Sequence, residues 1–400
     1  MKKIELKRDV LTRIVELLKG AFGAEGKLEL SFVDGTDGTT SLRAVVHGYS
    51  MSAYVRTSCA GAGLPGMLHC RLGRFLKVLE TSEAETAVLS EADANFTVAV
   101  GRSKFRIPKT EDSLLADRAN WRSFMDFPTR FQVGPAEDFA RVLGSFCRVL
   151  QAAPHDILRS IHVAATKEGT KVLGSDGLRL FTVEMPGRCV AVNDAIDATF
   201  PARAAEVLSR LQGTEHTLRI GINAGGSLFL AEADMGPVSF QLCGSLLDGR
   251  YPSFDGIAKR KIVAEYELRR DALLKEFKDH VGIDGEKLTD ALLTFGDETV
   301  AIASGTPDHQ YASSLDPEAV VSRKSETGKP LAVRIKLNYL VDALNFICVP
   351  DKAQVVGLLV GEGPTVWIRQ GDLDRKSQDV VLVSVSAAIA EEPAAVPAAA

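Results

Sequence analysis

Along this chain, short segments with an apolar residue at every second position run directly into segments whose apolar residues are three and four apart. The first spacing is typical of a strand with one buried face, and the second is typical of an amphipathic helix. The change recurs six times at intervals of roughly 65 residues, which indicates an array of similar units. The predicted strand-to-helix segments are residues 4–6 into 10–18, 67–70 into 75–79, 131–133 into 139–146, 198–200 into 207–211, 264–266 into 272–277, and 333–335 into 340–344.

Taken in pairs, the units form domains of about 130 residues, which is an ordinary domain size. The segments 125–130 and 253–261 separate the pairs, and glycine-containing turns between β-rich stretches favour antiparallel hairpins. The predicted fold class is α+β, with three similar domains at 1–126, 127–254 and 255–389. In each domain, mostly antiparallel sheets are covered on one side by two helices. Residues 390–400, rich in Ala and Pro, are predicted to be a disordered tail.

Composition fits several globular cores, because 46% of the 400 residues are hydrophobic. No apolar run approaches about 18 residues, and none follows the N-terminal lysines, so we expect neither a membrane span nor a signal peptide. We therefore expect a cytoplasmic protein with no membrane partner. The six cysteines lie far apart without paired spacing, which favours buried reduced thiols over a disulfide framework or a zinc site.

The charge is unevenly distributed along the chain. The formal net charge of -5 argues at first against nucleic acid as a partner. Basic residues nevertheless recur on the predicted helices and the strands before them, whereas acidic residues concentrate in connections such as 83–85, 91–93 and 316–318. If the helices share one face, that face is positive, and local potential governs phosphate binding. Ordinary solvated helix faces are the alternative for any single cluster.

Sequence motifs that would indicate a reaction are missing. The glycine-rich segment 61–66 precedes a predicted strand, whereas a dinucleotide-binding loop precedes a helix. The sequence contains no phosphate-binding loop with a Lys-Ser/Thr pair and no serine-nucleophile elbow, and its histidines show no metal-ligand spacing. The sequence therefore favours a binding or scaffolding protein without a cofactor or a metal. An enzyme whose residues meet across domains remains an alternative.

Three short segments show a family resemblance. Residues 172–180 read Val-Leu-Gly-Ser-Asp-Gly-Leu-Arg-Leu, residues 246–254 read Leu-Leu-Asp-Gly-Arg-Tyr-Pro-Ser-Phe, and residues 101–105 read Gly-Arg-Ser-Lys-Phe. They resemble the Thr-Asp-Gly-His-Arg-Leu, Leu-Val-Asp-Gly-Arg-Phe-Pro-Asp-Tyr and Gly-Arg-Ser-Arg-Phe segments of the bacterial sliding clamp, the β subunit of DNA polymerase III. With the repeat, they cover nearly the whole chain, and the sequence is identified as a diverged member of that family.

The resemblance implies a non-enzymatic DNA sliding clamp, a processivity factor that forms a head-to-tail homodimeric ring around double-stranded DNA. Loose contacts from Arg and Lys to phosphates hold DNA without reading its bases, so the ring can slide. The implied partners are the replicative DNA polymerase, the clamp loader and other proteins with a clamp-binding motif. The residues expected to contact DNA are Lys19, Lys27, Arg71, Arg74, Arg141, Arg203, Arg210 and Arg269.

The family also has a pocket between its middle and last domains that accepts short apolar peptides from partners. By resemblance, the pocket here is formed by Leu158, Ser175, Gly177, Leu178, Arg179, Leu180, Pro252, Gly256, Ile257, Val381, Leu382, Val383, Ser384 and Val385. An apolar groove with a few polar anchors suits Leu and Phe side chains. The alternative for the last strand is ordinary core. Leu178 stands where a histidine is usual and Gly256 where an arginine is usual, so we expect an altered peptide preference.

Ring closure in the family packs an aromatic residue of the first domain against the end of a helix in the third. Phe105, Val281 and Ile283 occupy these places and predict a hydrophobic, ring-closing interface. Phe105 could instead be an internal strand residue. Besides a replicative clamp, a clamp-fold scaffold or accessory paralogue with altered partners stays open as a function.

Overall fold

The computed structural model describes the chain apart from residues 1–2, 35–38, 49, 62–66, 93, 111–126, 135, 152, 188, 212–216, 250, 254–260, 285–289, 297–298, 307–308, 326–330, 347–354, 362–364, 371–379, 387 and 390–400. Contacts divide the chain into two compact units. Unit 1 comprises Met1–Gly144, Val163–Thr170 and Gly187–Gly249, and unit 2 comprises Ser145–His162, Lys171–Pro186 and Arg250–Ala400. The three-domain division predicted from the sequence is a different partition and stays a prediction.

Runs of strands are separated by helices along the chain. Up to residue 200 they are β1 (Lys3–Lys7), α1 (Arg8–Phe22), β2 (Lys27–Asp34), β3 (Thr40–His47), β4 (Met51–Gly61), β5 (Met67–Arg71), α2 (Leu72–Glu80), β6 (Thr86–Ala92), β7 (Asn95–Val100), β8 (Ser103–Thr110), β9 (Thr129–Val133), α3 (Ala136–Leu150), α4 (Asp156–Arg159), β10 (Ile161–Ala165), β11 (Gly169–Ser175), β12 (Arg179–Pro186), β13 (Cys189–Ala191) and β14 (Ile196–Phe200).

The remaining elements continue the same alternation. They are α5 (Ala202–Leu208), β15 (Leu218–Ile222), β16 (Leu228–Met235), β17 (Val238–Ser245), β18 (Ile262–Arg269), α6 (Arg270–Asp284), β19 (Asp290–Phe295), β20 (Val300–Thr306), β21 (His309–Ser314), a 3-10 turn (Pro317–Ala319), β22 (Val320–Ser325), β23 (Leu331–Lys336), α7 (Leu337–Phe346), β24 (Val355–Gly361), β25 (Thr365–Gln370), β26 (Val380–Ser386) and β27 (Ala388–Ile389).

All six predicted strand-to-helix transitions are confirmed: they are β1–α1, β5–α2, β9–α3, β14–α5, β18–α6 and β23–α7. The strand that leads one copy pairs with the first strand after the helix of another copy. The pairs are β1 with β6, β5 with β2, β9 with β15, β18 with β24, and β23 with β19. A copy therefore completes its sheet only with its neighbour, which is why the copies occur in interlocked pairs.

The sheet of unit 1 runs in the order β1-β6-β7-β8-β5-β2-β3-β4-β17-β16-β15-β9-β13. β1 also pairs with β4, so β1 to β8 form a closed set. Helices α1 and α2 pack on each other, and α1 also packs on α5. Leu11, Ile14, Val15 and Leu18 fill the buried side of α1, as the spacing of three and four predicts.

Unit 2 contains the strand order β12-β26-β25-β24-β18-β22 and a second sheet, β21-β20-β19-β23-β27. Inside it, His280 of α6 is fully buried. Its Nδ1 lies 2.6 Å from Ser304 Oγ and its Nε2 2.9 Å from Ser313 Oγ, which ties α6 to the hairpin β20–β21. Burial lowers the pKa of His280, so the neutral ring is the favoured form.

One strand carries no periodic pattern in the sequence. β12 is buried on both faces, with the burial pattern of a central strand, so its apolar residues do not alternate. No helix in the described ranges has the length and apolarity needed to cross a lipid bilayer.

Candidate functional site

The turn between β11 and β12, at the first of the resembling segments, is held in one shape by its own side chains. Asp176 Oδ1 accepts the backbone N–H groups of Leu178 (3.0 Å) and Arg179 (2.7 Å). Ser175 Oγ donates to the carbonyl of Arg179 (2.8 Å) and accepts from the N–H of Gly177 (3.1 Å). Gly177 has φ of 92°, a region that favours glycine. The turn therefore presents Leu178 at its tip, where 53% of the residue is exposed.

Arg179 is buried beneath this tip, with only 7% of its side chain exposed. Its Nε donates to Asp176 Oδ2 at 2.8 Å, and its Nη1 donates to Asp342 Oδ2 on α7 at 2.6 Å. The guanidinium also lies 4.8 Å from the centroid of the Tyr339 ring and 5.4 Å from that of Phe181. Two carboxylates and two rings thus fix the guanidinium in place, since a buried charge is tolerated only when paired.

An aromatic cluster packs below Arg179. Phe346 at the end of α7 lies 4.7 Å from Phe181 and 4.9 Å from Phe146 of α3, ring centroid to centroid. A Cβ on Gly174 would come within 2.6 Å of the Phe146 ring and 2.7 Å of Leu150. Glycine at this position lets α3 approach β11 closely, and the cluster gives the turn a rigid apolar base.

Apolar side chains surround the turn at the surface. The Cδ1 atom of half-buried Leu158 lies 3.6 Å from the Cβ position of Gly177. Tyr251 is stacked on His162 with centroids 5.0 Å apart, and the next residue, Pro252, is exposed. Burial raises the pKa of Tyr251 to about 12, so its phenol stays neutral. The combination is an apolar surface beside a fixed, charge-compensated arginine.

The structure brings most of the predicted pocket residues together in unit 2. β12 pairs with β26 in antiparallel register: Arg179 lies opposite Val385, Leu180 opposite Ser384, Phe181 opposite Val383, Thr182 opposite Leu382, and Val183 opposite Val381. Val385 is fully buried and Leu180 is 6% exposed. Gly256 and Ile257 lie outside the described residues. Sequence reasoning missed Tyr339, Asp342 and Phe346, which lie on one helix and follow the turn by more than 150 positions in the chain.

Unit 1 contains a second candidate site, made of basic residues near the start of α2. Lys27 and Arg71 are direct cross-strand partners in the pairing of β2 with β5, so their exposed side chains lie side by side. The loop before Lys27 caps α2, because the carbonyls of Gly26 and Ala24 accept the N–H groups of Leu72 (2.9 Å) and Gly73 (2.8 Å). Arg74 is exposed in the first turn of the same helix.

Two further cations, Lys19 and Arg210, lie at the last turn of α1. A Cβ on Gly20 would lie 2.1 Å from Arg210 Nε, so the Arg210 side chain, which follows α5, rests directly on the Gly20 backbone. Lys19 directly precedes Gly20 in α1. Cations near a helix C-terminus interact favourably with the helix dipole, which stabilises this placement. Lys19, Lys27, Arg71, Arg74 and Arg210 are called the basic cluster below.

Some of the predicted DNA contacts are paired with carboxylates. Arg71 bonds to Glu25, Arg141 to Asp138 at 2.8 Å, and Arg210 to Glu206 at 3.1 Å; the Arg71 pair is exposed, whereas Asp138 is 22% exposed. Within the part of the chain that the structure describes, the others have no carboxylate partner: Lys19, Lys27, Arg74, Arg203 and Arg269. Arg203 shares the exposed side of α5 with Glu206, whereas Arg269 lies at the end of β18 in unit 2.

The residues predicted to close a ring lie at exposed or half-exposed positions. Phe105 is half-buried on β8, opposite Val98 of β7. Among the described strands, β8 reaches β5 only at Lys109 and Thr110, so the segment with Phe105 forms a sheet edge. Ile283 is 60% exposed near the end of α6. An exposed isoleucine and a half-exposed phenylalanine on an edge strand are suited to association.

Cysteines in the described ranges are free thiols: Cys59, Cys70, Cys147, Cys189 and Cys243. Burial raises the pKa of Cys70 to about 12 and that of Cys59 to about 11, so neither is activated as a nucleophile. Among described side chains, no group of three or more His, Cys, Asp and Glu residues is arranged to hold a metal ion.

Comparison with known proteins gives one consistent result. No family model matches the chain, and no curated protein matches it in sequence. Solved structures do match: the DNA polymerase III subunit beta of Pseudomonas aeruginosa is 15% identical, with a TM-score of 0.75 over 96% of this chain and 99% of that chain. The chain has the sliding-clamp fold. The Helicobacter pylori beta clamp in complex with carprofen gives a TM-score of 0.77 at 15% identity, over 96% of this chain and 99% of that chain.

A third structure bears on binding. The Helicobacter pylori beta clamp bound to a DNA ligase peptide is 15% identical and has a TM-score of 0.72, over 96% of this chain and 99% of that chain. The predicted α+β clamp fold is therefore confirmed over nearly the whole chain. At this identity the comparison shows the sliding-clamp fold and leaves the activity of this chain to its own residues.

Proposed function

We propose that this protein is a DNA sliding clamp: a cytoplasmic, non-enzymatic processivity factor that encircles duplex DNA as a homodimer and needs no cofactor. The observation that carries the proposal is the basic cluster of unit 1. Three of its five cations, Lys19, Lys27 and Arg74, have no described carboxylate partner and are free to meet phosphates. The sliding-clamp fold supports it, since related folds of known structure are DNA polymerase III beta subunits.

Such a cluster suits sliding rather than sequence reading. Lys and Arg side chains contact phosphates one at a time, and each contact releases counterions without fixing a base register. The partly engaged Arg71 and Arg210 can exchange Glu25 and Glu206 for a phosphate at small cost, because exposed ion pairs contribute about 0–1 kcal/mol. Retention on DNA then comes from ring closure rather than from affinity.

The turn at Leu178 is proposed to bind partner peptides, as the fold's resemblance implies. Leu158, Leu178 and Pro252 offer apolar contact area, and β12 and β26 supply a rigid floor. The Helicobacter pylori clamp, which has the same fold, is known with a bound peptide. The proposed partners are the replicative polymerase, the clamp loader and other proteins with a clamp-binding motif.

Ring closure is proposed to use the β8 edge of one protomer and the end of α6 in its partner. We expect Phe105→Arg to yield monomers, because it would place an unpaired charge in an apolar interface. Light scattering after size-exclusion chromatography measures this. Lys104→Ala on the same strand is the matched control and should remain dimeric. A dimeric Phe105→Arg variant would reject this interface.

The decisive experiment is topological. The protein is loaded on nicked circular plasmid with a clamp loader and ATP, and its retention is compared with that on the same plasmid after linearisation. Retention on circles and rapid loss from linear ends supports a closed ring. Equal loss from both substrates would refute the proposal.

The basic cluster is tested separately by charge reversal. Arg74→Glu with Arg210→Glu should weaken DNA association and reduce the slope of log K against log salt by about two, since two phosphate contacts are lost. Lys171→Glu with Arg219→Glu changes the net charge equally at residues outside the cluster and should keep the wild-type slope. Equal slopes in all three proteins would remove the cluster from the DNA-binding surface.

A second candidate is an accessory clamp with altered partners. Leu178 replaces the family's usual histidine, and Arg179 is already bonded to Asp176 and Asp342. The turn therefore offers less polar anchoring to a peptide than the resemblance implies. A pull-down with the C-terminal peptide of a replicative polymerase separates the two candidates, because the accessory clamp would not retain it.

A further inference from the structure

The sheet of unit 1 has an outer face that the proposed function does not use. In β3 and β4, Leu42, Ala44, Val46 and Val55 point to one side and are buried, and half-buried Arg43 and exposed Arg56 lie on the opposite side with buried Val45. Antiparallel register then places Arg43 directly opposite Arg56. Ser31 of β2 lies beside Arg43, and Ser239 of β17 lies beside Arg56. One row across four strands thus reads Ser31, Arg43, Arg56, Ser239.

The arginines of this row share their sheet face with buried Glu29 of β2, whose Oε2 lies 3.2 Å from His69 Nε2. Neither arginine forms an ion pair with a carboxylate in the described part of the chain. The Nε atom of Arg43 is buried and has no hydrogen-bond acceptor among described groups. Arg56 is exposed, and its Nη2 donates to Ser41 Oγ at 3.1 Å, which turns the guanidinium along the sheet. Like charges directly opposite each other on neighbouring strands are destabilising, and a buried donor without an acceptor adds to that cost.

Another arginine on the same sheet shows the usual arrangement. Arg219 of β15 lies opposite Glu232 of β16, and its Nη2 is 3.6 Å from Glu232 Oε2 and 4.0 Å from Asp234 Oδ2. Arg219 is thus paired with carboxylates on the neighbouring strand, whereas Arg43 and Arg56 lie directly opposite each other. The difference indicates that the second pair meets a negative group from outside the chain.

We propose that Arg43 and Arg56 form an oxyanion-binding site, with the hydroxyls of Ser31 and Ser239 at its two ends. Two guanidiniums side by side suit a group with several acceptor oxygens, because each can donate in fork geometry. The ligand class is a phosphoryl or carboxylate group. The site is distinct from the basic cluster, since it uses none of those residues and lies on the sheet face opposite Leu42, Ala44 and Val46.

The test is thermal unfolding of the full chain in sodium phosphate against sodium chloride of equal ionic strength and pH. Phosphate should raise the wild-type midpoint by about 2–4 °C beyond chloride, because a ligand that binds only the folded state stabilises it. Arg56→Gln, at an exposed position that tolerates change, should lose this increment. The matched control Arg219→Gln should keep it. In low-salt chloride, Arg56→Gln should unfold no lower than wild type, since it removes a repulsion.

A second arm distinguishes the source of the oxyanion. A short oligoglutamate peptide replaces phosphate, with oligoglutamine as its neutral control. A shift with phosphate alone assigns the site to phosphoryl groups, and a shift with oligoglutamate alone assigns it to carboxylates. Absence of both shifts, or equal loss of the shift in Arg56→Gln and Arg219→Gln, would overturn the proposal.

Discussion

Arg179 provides the sharpest test of how the candidate peptide site is built. Its guanidinium is 7% exposed and pairs with Asp176, whose side chain is 12% exposed, and with Asp342, which is 50% exposed. Arg179→Met removes the cation but leaves the Asp176 carboxylate buried without its partner. Breaking a buried pair on one side costs about 3–5 kcal/mol, whereas an exposed partner contributes about 0–1 kcal/mol. We therefore expect Arg179→Met to cost about 3 kcal/mol and Asp342→Asn less than about 1 kcal/mol.

The double variant separates charge from packing. Asp176→Asn keeps an oxygen that can accept the N–H groups of Leu178 and Arg179, so the turn survives while the charge is removed. If an uncompensated carboxylate causes the loss, Asp176→Asn with Arg179→Met should be more stable than Arg179→Met alone by more than about 1 kcal/mol. If lost ring stacking and van der Waals contact cause it, the second substitution brings no recovery.

The assay is urea unfolding followed by tryptophan fluorescence. Trp367 is 3% exposed and lies on β25 in unit 2, so it reports the unfolding of the unit that contains Arg179. A Trp121→Phe background makes it the single tryptophan of the chain. With a slope of about 2 kcal/mol per molar urea, 3 kcal/mol moves the midpoint by about 1.5 M. Equal midpoints for the Arg179→Met and Asp342→Asn variants would refute the reasoning.

Three further changes are expected to have distinct effects. Leu178→Glu should weaken binding of an apolar clamp-binding peptide at least about tenfold in fluorescence anisotropy, because it puts a charge at the turn tip. Val192→Glu, at a residue that is 51% exposed, should leave binding unchanged. Equal losses of affinity in the two variants would contradict the site. Gly20→Ala should displace Arg210 and reduce DNA affinity in an anisotropy titration without lowering the unfolding midpoint, since alanine favours the helix; unchanged affinity would dissociate Arg210 from DNA binding. Folding lowers the pKa of His280, so the stability of the wild type should fall as the pH drops from 7 through about 6.5. His280→Gln should flatten this fall in the urea midpoints. Parallel curves of urea midpoint against pH for the two proteins would argue against the buried neutral ring.

The repeat was the part of the fold most accessible to the sequence. Apolar spacing marked all six strand-to-helix transitions because the strands place apolar side chains on alternate positions and the helices place them three and four apart. β12 shows no apolar periodicity, because Arg179 to Val183 are buried on both faces of the strand. The apolar pattern also does not predict the order of the strands in the sheets. That order depends on which strands of two paired copies hydrogen-bond to each other.

The candidate peptide site was predictable only along one local stretch of chain. The Ser-Asp-Gly-Leu-Arg segment was recognised by its resemblance to the clamp family. A short segment can carry such a resemblance because the hydrogen bonds of its turn join residues within four positions. Asp342 could not be found this way, since 163 positions separate it from Arg179 in the chain. The grouping of Lys19 with Arg210 was equally hidden, because it depends on α1 packing against α5 and on Gly20 lacking a side chain.

The sequence by itself thus determined the alternation of strands and helices and the α+β class, and its resemblance to the clamp family marked the segment around Leu178. Those features arise from periodic burial and from hydrogen bonds between near neighbours. The tertiary structure alone decided which carboxylates neutralise Arg179 and which cations share a surface. It also placed Arg43 opposite Arg56 on neighbouring strands. These arrangements depend on sheet register and helix packing, which bring distant residues within a few ångströms and leave no fixed spacing in the chain.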